Sequence, residues 1–141
     1  MKLDAGIYKG IATLWMEPGS PAQTGDFTFM VEPAADGHAT LIRYAGKHGD
    51  SDSVGVALLS TNKRTNQLQM TWQDSFHMAD EPMALIGATP QALVGTWYWD
   101  GKPFQWRIAV SQPAADRLEW RMFVIMPDGE SPAVEALLTR A

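Results

Sequence analysis

Apolar and polar residues alternate along this chain in short runs, and no stretch longer than about ten residues keeps a helical period. In the segment Asp26 to Glu32, for example, Phe27, Phe29 and Val31 fall on one face. Comparable runs occupy Ile7 to Met16, His38 to Ala45, Val54 to Ser60, Gln67 to Gln73, Leu93 to Trp99, Phe104 to Ser111, Leu118 to Met126 and Ala133 to Arg140. A shorter one lies at Met83 to Gly87. A period of two marks strands with one face buried. The separators EPGSP (17–21), AADG (34–37), DGKP (100–103) and PDGE (127–130) supply positive φ through Gly and a fixed φ through Pro. The polar stretch Gly46 to Ser53 reads as a mobile loop.

Nine or ten strands without helices make an antiparallel meander, and closing it into a barrel removes its edges. The expected fold is therefore all-β: an antiparallel up-and-down barrel of roughly ten strands, built as a single domain over residues 1–141. If DGKP is a complete hairpin loop, Trp97 opposes Trp106 and Trp99 opposes Phe104. If QPAAD (112–116) closes the next hairpin, Val110 opposes Leu118, Ile108 opposes Trp120, Trp106 opposes Met122 and Phe104 opposes Val124. Both registers gather large apolar residues on one face, and a one-residue slip would scatter them. The expected inner wall holds Trp97, Trp99, Phe104, Trp106, Trp120 and Met122. The last strand adds Val134, Ala136 and Leu138.

Composition narrows the function classes. A chain of 141 residues buries roughly two-thirds of its unfolded surface, enough for one core. Acids outnumber bases 16 to 11, and a net charge of -5 argues against nucleic acid as a partner. The absence of cysteine excludes a disulfide framework and thiolate-held metals. Asp4 and Gly6 interrupt the start of the chain before any apolar run, so no signal peptide is expected, and no stretch of ~18 apolar residues spans a membrane. These features fit a cytoplasmic protein. His38, His48 and His77 lie on separate segments without metal-ligand spacing, so neither a metal site nor a cofactor is expected, although a haem needing a single histidine is left open.

Two features could carry chemistry. Six tryptophans and eight methionines could simply fill a small barrel, or they could line a cavity for one ligand. The second feature is TWQDSFHM (71–78). Leu68, Met70 and Trp72 face inward by period two, and Asp74 continues that face. A carboxylate there costs several kcal/mol unless it is paired. Asp74 could orient His77 as an acid, a base or a ligand's hydrogen-bond partner, or it could merely hold backbone N–H groups at a strand end. The ligand-binding set is thus Trp72, Asp74, Phe76, His77, Trp97, Trp99, Trp106, Trp120 and Met122. Only Asp74 and His77 are candidates for catalysis, and no nucleophile elbow accompanies them. Arg107, Glu119 and Arg121 fall on the opposite face and read as an outer charge ladder, while the facing of Arg43 and of Tyr8, Tyr44 and Tyr98 is open.

GIATLWMEPGSP, VGVALLSTNKRTNQLQMTWQDSFHM and PDGESPAVEALLTR together resemble a family of bacterial lipocalin-like domains of unknown function. The most specific piece is W-x-D-S-F-H-M, formed by Trp72, Asp74, Ser75, Phe76, His77 and Met78. The resemblance runs over essentially the whole chain, and it implies a leading helical segment in longer members that is expected to be missing here. LVGTWYW (93–99) is similar to the G-x-W signature of lipocalins, but it falls late in the chain rather than on the first strand. The resemblance implies a calycin-type barrel and carries no activity. Three functions stay open: binding of a small apolar or amphipathic ligand in the barrel, a hydrolase or isomerase using His77 with Asp74, and a filled barrel acting as a homodimeric interaction module.

Overall fold

The computed structural model describes residues 2–141, and every regular element among them is a strand. The ten strands are β1 Gly6–Leu14, β2 Gln23–Ala34, β3 Ala39–His48, β4 Ser51–Asn62, β5 Gln67–Asp74, β6 Met83–Gly87, β7 Leu93–Trp99, β8 Lys102–Ala114, β9 Arg117–Met126 and β10 Gly129–Arg140. Each pairs antiparallel with its sequence neighbours, and β1 pairs with β10 from Tyr8↔Arg140 to Leu14↔Val134. The result is a closed up-and-down barrel, as the alternation predicts. The β3–β4, β5–β6 and β7–β8 connections share one end, here the upper rim. The β2–β3, β4–β5 and β6–β7 turns and both chain ends share the lower rim.

The facing prediction holds, but the register differs. Asp100 (φ 51°) and Gly101 (φ 72°) both adopt positive φ, so two residues alone close the β7–β8 hairpin as a type I′ turn. Lys102 and Pro103 therefore join β8, with Trp99 opposite Lys102, Trp97 opposite Phe104 and Gly95 opposite Trp106. The β8–β9 turn is likewise shorter than QPAAD. A bulge between Ser111 and Ala114 absorbs the surplus, and Val110 faces Trp120, Ile108 faces Met122 and Trp106 faces Val124. Both corrections shift the pairing by two residues, which leaves every side chain on its expected face. Trp106, Trp120 and Met122 are buried, and Trp97 and Phe104 are half-buried. Trp99 leaves the expected inner wall: the hairpin carries it past the rim, where it is 63% exposed. The stretch Gly46 to Ser53 is also corrected. Gly49 (φ 58°) turns the chain so tightly that His48 pairs with Ser51, and both His48 and Ser53 are buried.

The interior is filled by Trp72, Trp120, Phe29, Ile42, Met70, Leu85, Leu93, Ile108 and Met122. Arg107 lies outside and holds Glu130 through two bonds of 2.6 and 2.9 Å, while Arg121 bridges Glu119 and Glu135. Arg43 also faces outward and pairs with Glu32 at 3.0 Å. Tyr8 and Tyr44 point inward and Tyr98 outward. At the lower rim the buried Tyr8 hydroxyl donates to the Asp4 carbonyl (2.7 Å) and accepts from Gln112 Nε2 (2.9 Å) and Arg140 Nη2 (2.8 Å). Arg140 also donates to the Ala5 carbonyl at 2.7 Å, which folds the N-terminal segment across the barrel end and buries Leu3. Removing a buried hydroxyl with three partners should cost about 1–3 kcal/mol. Tyr8→Phe is expected to lose that much in urea unfolding while its far-ultraviolet circular dichroism stays that of the barrel.

Candidate functional site

The site at the upper rim starts from one row of paired residues. Tyr44 on β3 opposes Gly55 on β4, and Gly55 opposes Asp74 on β5. A Cβ at Gly55 would overlap the Tyr44 ring. The missing side chain lets that ring lie across β4, so that its hydroxyl donates to Asp74 Oδ2 at 2.7 Å. Trp72 Nε1 in turn donates to the Tyr44 oxygen at 2.8 Å.

Beyond Asp74 the chain turns back over the rim. Asp74 Oδ1 accepts from the main-chain N–H of Phe76 (3.1 Å) and His77 (2.6 Å), an Asx turn of the kind this residue favours. The Ala79 N–H reaches the Asp74 carbonyl at 2.9 Å, and Ser75 is tied to Val54 by two bonds. This loop sets the His77 ring against Asp74, with Nδ1 2.9 Å from Oδ2. The Asp74 side chain is 1% exposed and that of His77 is 10% exposed. Burial by itself raises a carboxyl pKa, but the bonds and charge of His77, aided by Tyr44, outweigh it and hold Asp74 below its usual range. Burial of the Tyr44 hydroxyl, together with the charge of Asp74 and the bond to it, pushes its pKa well above the ordinary 10. An ionised carboxylate only accepts, so the shared proton sits on His77 Nδ1. The ring's Nε2 is left without a bond to the protein.

His77 also belongs to a series of rings. Its centroid lies 5.5 Å from Trp72 and 5.6 Å from Trp106; Trp106 lies 5.5 Å from Trp97, and Trp97 lies 5.7 Å from Trp99. The series therefore runs from the core to solvent. Phe76 packs edge-on against His77 at 5.0 Å. Among the described residues, two buried side-chain polar atoms lack a partner, His48 Nδ1 and Trp106 Nε1. His48 sits 4.6 Å from the Phe27 ring and 5.7 Å from that of Phe76. Burial, with the nearby His77, pushes its pKa down to about 4.

The structure thus brings Trp72, Asp74, Phe76, His77, Trp97 and Trp106 together. Trp120 and Met122 lie deeper, where they share a cavity of about 10 Å³ with His48, Ser53, Asp74 and His77, room for about one water. Trp99 stands at the exposed end of the ring series. A larger concavity of about 770 Å³ opens at the lower rim over Leu3, Leu59 and Leu68 and contains none of the sequence-predicted residues. Sequence reasoning left the facing of Tyr44 open and missed the parts played by His48 and Gly55. Gly55 carried a signal: a glycine at an inward position of an apolar strand marks a spot that a neighbouring ring can cross. No group of three potential metal ligands occurs among the described residues, and no helix there is long and apolar enough to cross a membrane. No protein-family model and no curated protein sequence matches this chain.

Two outcomes follow for stability. Gly55→Ala forces Tyr44 off Asp74 and is expected to cost about 1–3 kcal/mol in urea unfolding, as overpacked cores do. Combining it with Tyr44→Leu should recover part of the loss. For pH, folded His48 binds a proton at about 4 and the unfolded chain at 6.5. The unfolded state therefore takes up protons first, and stability present above pH 6.5 declines as pH falls toward 4, by on the order of 3 kcal/mol. The contribution of Asp74 is lost only below its ordinary value of 3.8. Denaturant titrations across pH 7 to about 4 should show this slope in the native chain and a much shallower one in His48→Leu, where Glu130, held low by Arg107, contributes only below 4.5.

Proposed function

We propose that the chain is a lipocalin-like barrel, akin to bacterial domains of that type, that holds a small apolar or amphipathic molecule at its upper rim. The observation that supports this reading is the ring series from buried His77 to exposed Trp99. Trp97, Trp99 and Phe104 offer aromatic area at the rim. The His77 ring, with its Nε2 unbonded, supplies the polar handle. Such a mix of apolar surface and a few placed polar groups is what small-molecule sites use. Because the interior leaves room for only about one water, the ligand seats above the core.

The 2.9 Å contact between Asp74 and His77 supports a second reading, in which His77 acts as a general base on the bound molecule. Asp74 fixes the tautomer, and Nε2 faces the ligand as acceptor.

Native mass spectrometry of freshly purified protein should show extra mass that leaves on denaturation. Titration with anilinonaphthalene sulfonate, an amphipathic fluorescent probe, should give binding that Trp97→Ala or Trp99→Ala weakens about tenfold or more, as loss of an aromatic anchor does. Leu59→Ala at the lower rim should leave it unchanged. The opposite pattern would move the ligand to the lower concavity. The catalytic reading requires turnover of an activated ester that disappears in His77→Ala, and binding without turnover sinks it.

A further inference from the structure

Charge is distributed unequally between the two ends of the barrel. The upper rim is closed by five connections, residues 15–22, 49–50, 75–82, 100–101 and 127–128. Together they carry Glu17, Asp50, Asp80, Glu81, Asp100 and Asp128, all exposed, and neither lysine nor arginine. Residues 2–5 and the four lower connections carry Asp4, Asp36 and Asp116 against Lys2, Lys63 and Arg64. The acid surplus of the chain is therefore held at the upper end. Of the bases nearest to it, Lys47 is engaged by Asp52 at 3.6 Å and Arg107 by Glu130 at 2.6 Å. Among the described residues Lys102 alone of these makes no salt bridge.

Exposed acids by themselves are solvated and select nothing. What lies between them does. Trp97, Trp99 and Phe104 present ring surface at this rim. A ring face carries the negative part of its quadrupole and attracts a cation. His77 adds a directed group, since its side chain is only 10% exposed. The ionised Asp74 accepts the proton of His77 Nδ1 at 2.9 Å, so Nε2 presents a lone pair. Nε2 has no bond to the protein. It is not one of the two enclosed polar atoms without a partner, His48 Nδ1 and Trp106 Nε1, so a ligand can reach it. Carboxylates, ring faces and an imidazole lone pair agree in sign. Each favours a positive N–H donor, and none favours an anion.

We propose, building on the ligand-binding reading above, that the molecule held at the upper rim is a cationic amine, a primary or secondary ammonium group on an apolar body. The body lies along Trp97 and Trp99, and an ammonium N–H donates to His77 Nε2. Asp80, Glu81 and Asp100 on the flanking loops act at longer range, through the field that draws cations to the rim. An anion of the same size gains none of these interactions except contact with the rings.

The test is a nitrogen-15 NMR titration of the full chain with n-octylammonium, octanoate, 1-octanol and n-octyltrimethylammonium, which share a tail and differ in the head. At about pH 7.5 the first is a cation and the second an anion. Octylammonium should shift Trp97, Trp99 and the ring nitrogens of His77, and bind about tenfold or more tighter than octanoate. Octyltrimethylammonium has the charge but no N–H. It should bind about five- to tenfold more weakly than octylammonium, as loss of a hydrogen bond does. Added salt should narrow the gap between octylammonium and octanoate. Asp100→Asn keeps the turn, since Asn also accepts the positive φ found there. Combined with Glu81→Gln, it should weaken octylammonium several-fold and leave octanol unchanged. The proposal is overturned if octanol, octanoate or octyltrimethylammonium binds at Trp97 and Trp99 as tightly as octylammonium, a result that leaves the ligand-binding reading standing. If none of the four shifts these residues, both fall. Octylammonium binding that ignores Trp97→Ala and Trp99→Ala is charge attraction to the loops alone and also overturns it.

Discussion

Everything in this protein follows from the closure of β1 onto β10. Seven registered pairs join them, from Tyr8↔Arg140 to Leu14↔Val134. Closure turns a period of two into inside and outside, and the inside must then be filled at the density of a packed solid. Tryptophan is the economical way to fill a narrow ten-strand interior, and Trp72 and Trp120 are almost wholly buried there. Charge is confined to the outer face, where Arg107 holds Glu130 and Arg121 bridges Glu119 and Glu135. Such exposed pairs add little to stability, but they mark the outer face unambiguously.

The interior nevertheless accepts a carboxylate at its upper end. Asp74 is tolerated because four donors converge on it: the Tyr44 hydroxyl, two main-chain N–H groups and His77 Nδ1. They come from two places, β3 and the loop after β5. Tyr44 reaches Asp74 only because Gly55 has no side chain, and the main-chain donors exist only because the chain reverses at Ser75. Stability and chemistry thus share one arrangement. The bonds that make a buried Asp74 affordable also fix the orientation of His77, and the free nitrogen of that ring lies where the aromatic series begins. The two ends of the barrel differ for this reason. The lower one is tied by the Tyr8–Arg140 clasp, whereas the upper one gathers the buried polar residues His48, Ser53 and Asp74.

By itself, the sequence determined which face is buried in β2, β5 and β7 to β10, whereas β1 and β4 carry large apolar residues on both faces. Alternation is local and survives a register error of two residues, so Trp106, Trp120, Met122, Val134, Ala136 and Leu138 point inward despite a shifted pairing. It also determined that Asp74 lies inside, and that His77, three residues on, is near enough to meet it. Register was not legible. An Asp-Gly turn of two residues and a DGKP loop of four leave the same alternation on both sides, and only the positive φ of Asp100 and Gly101 separates them. The same displacement moved Trp99 out past the rim. Tertiary structure alone decided the meeting of Tyr44, Gly55 and Asp74, the burial of His48 and the short two-pair ladder between β6 and β7. These contacts depend on how far one strand slides along the next, and nothing within a single strand records that distance.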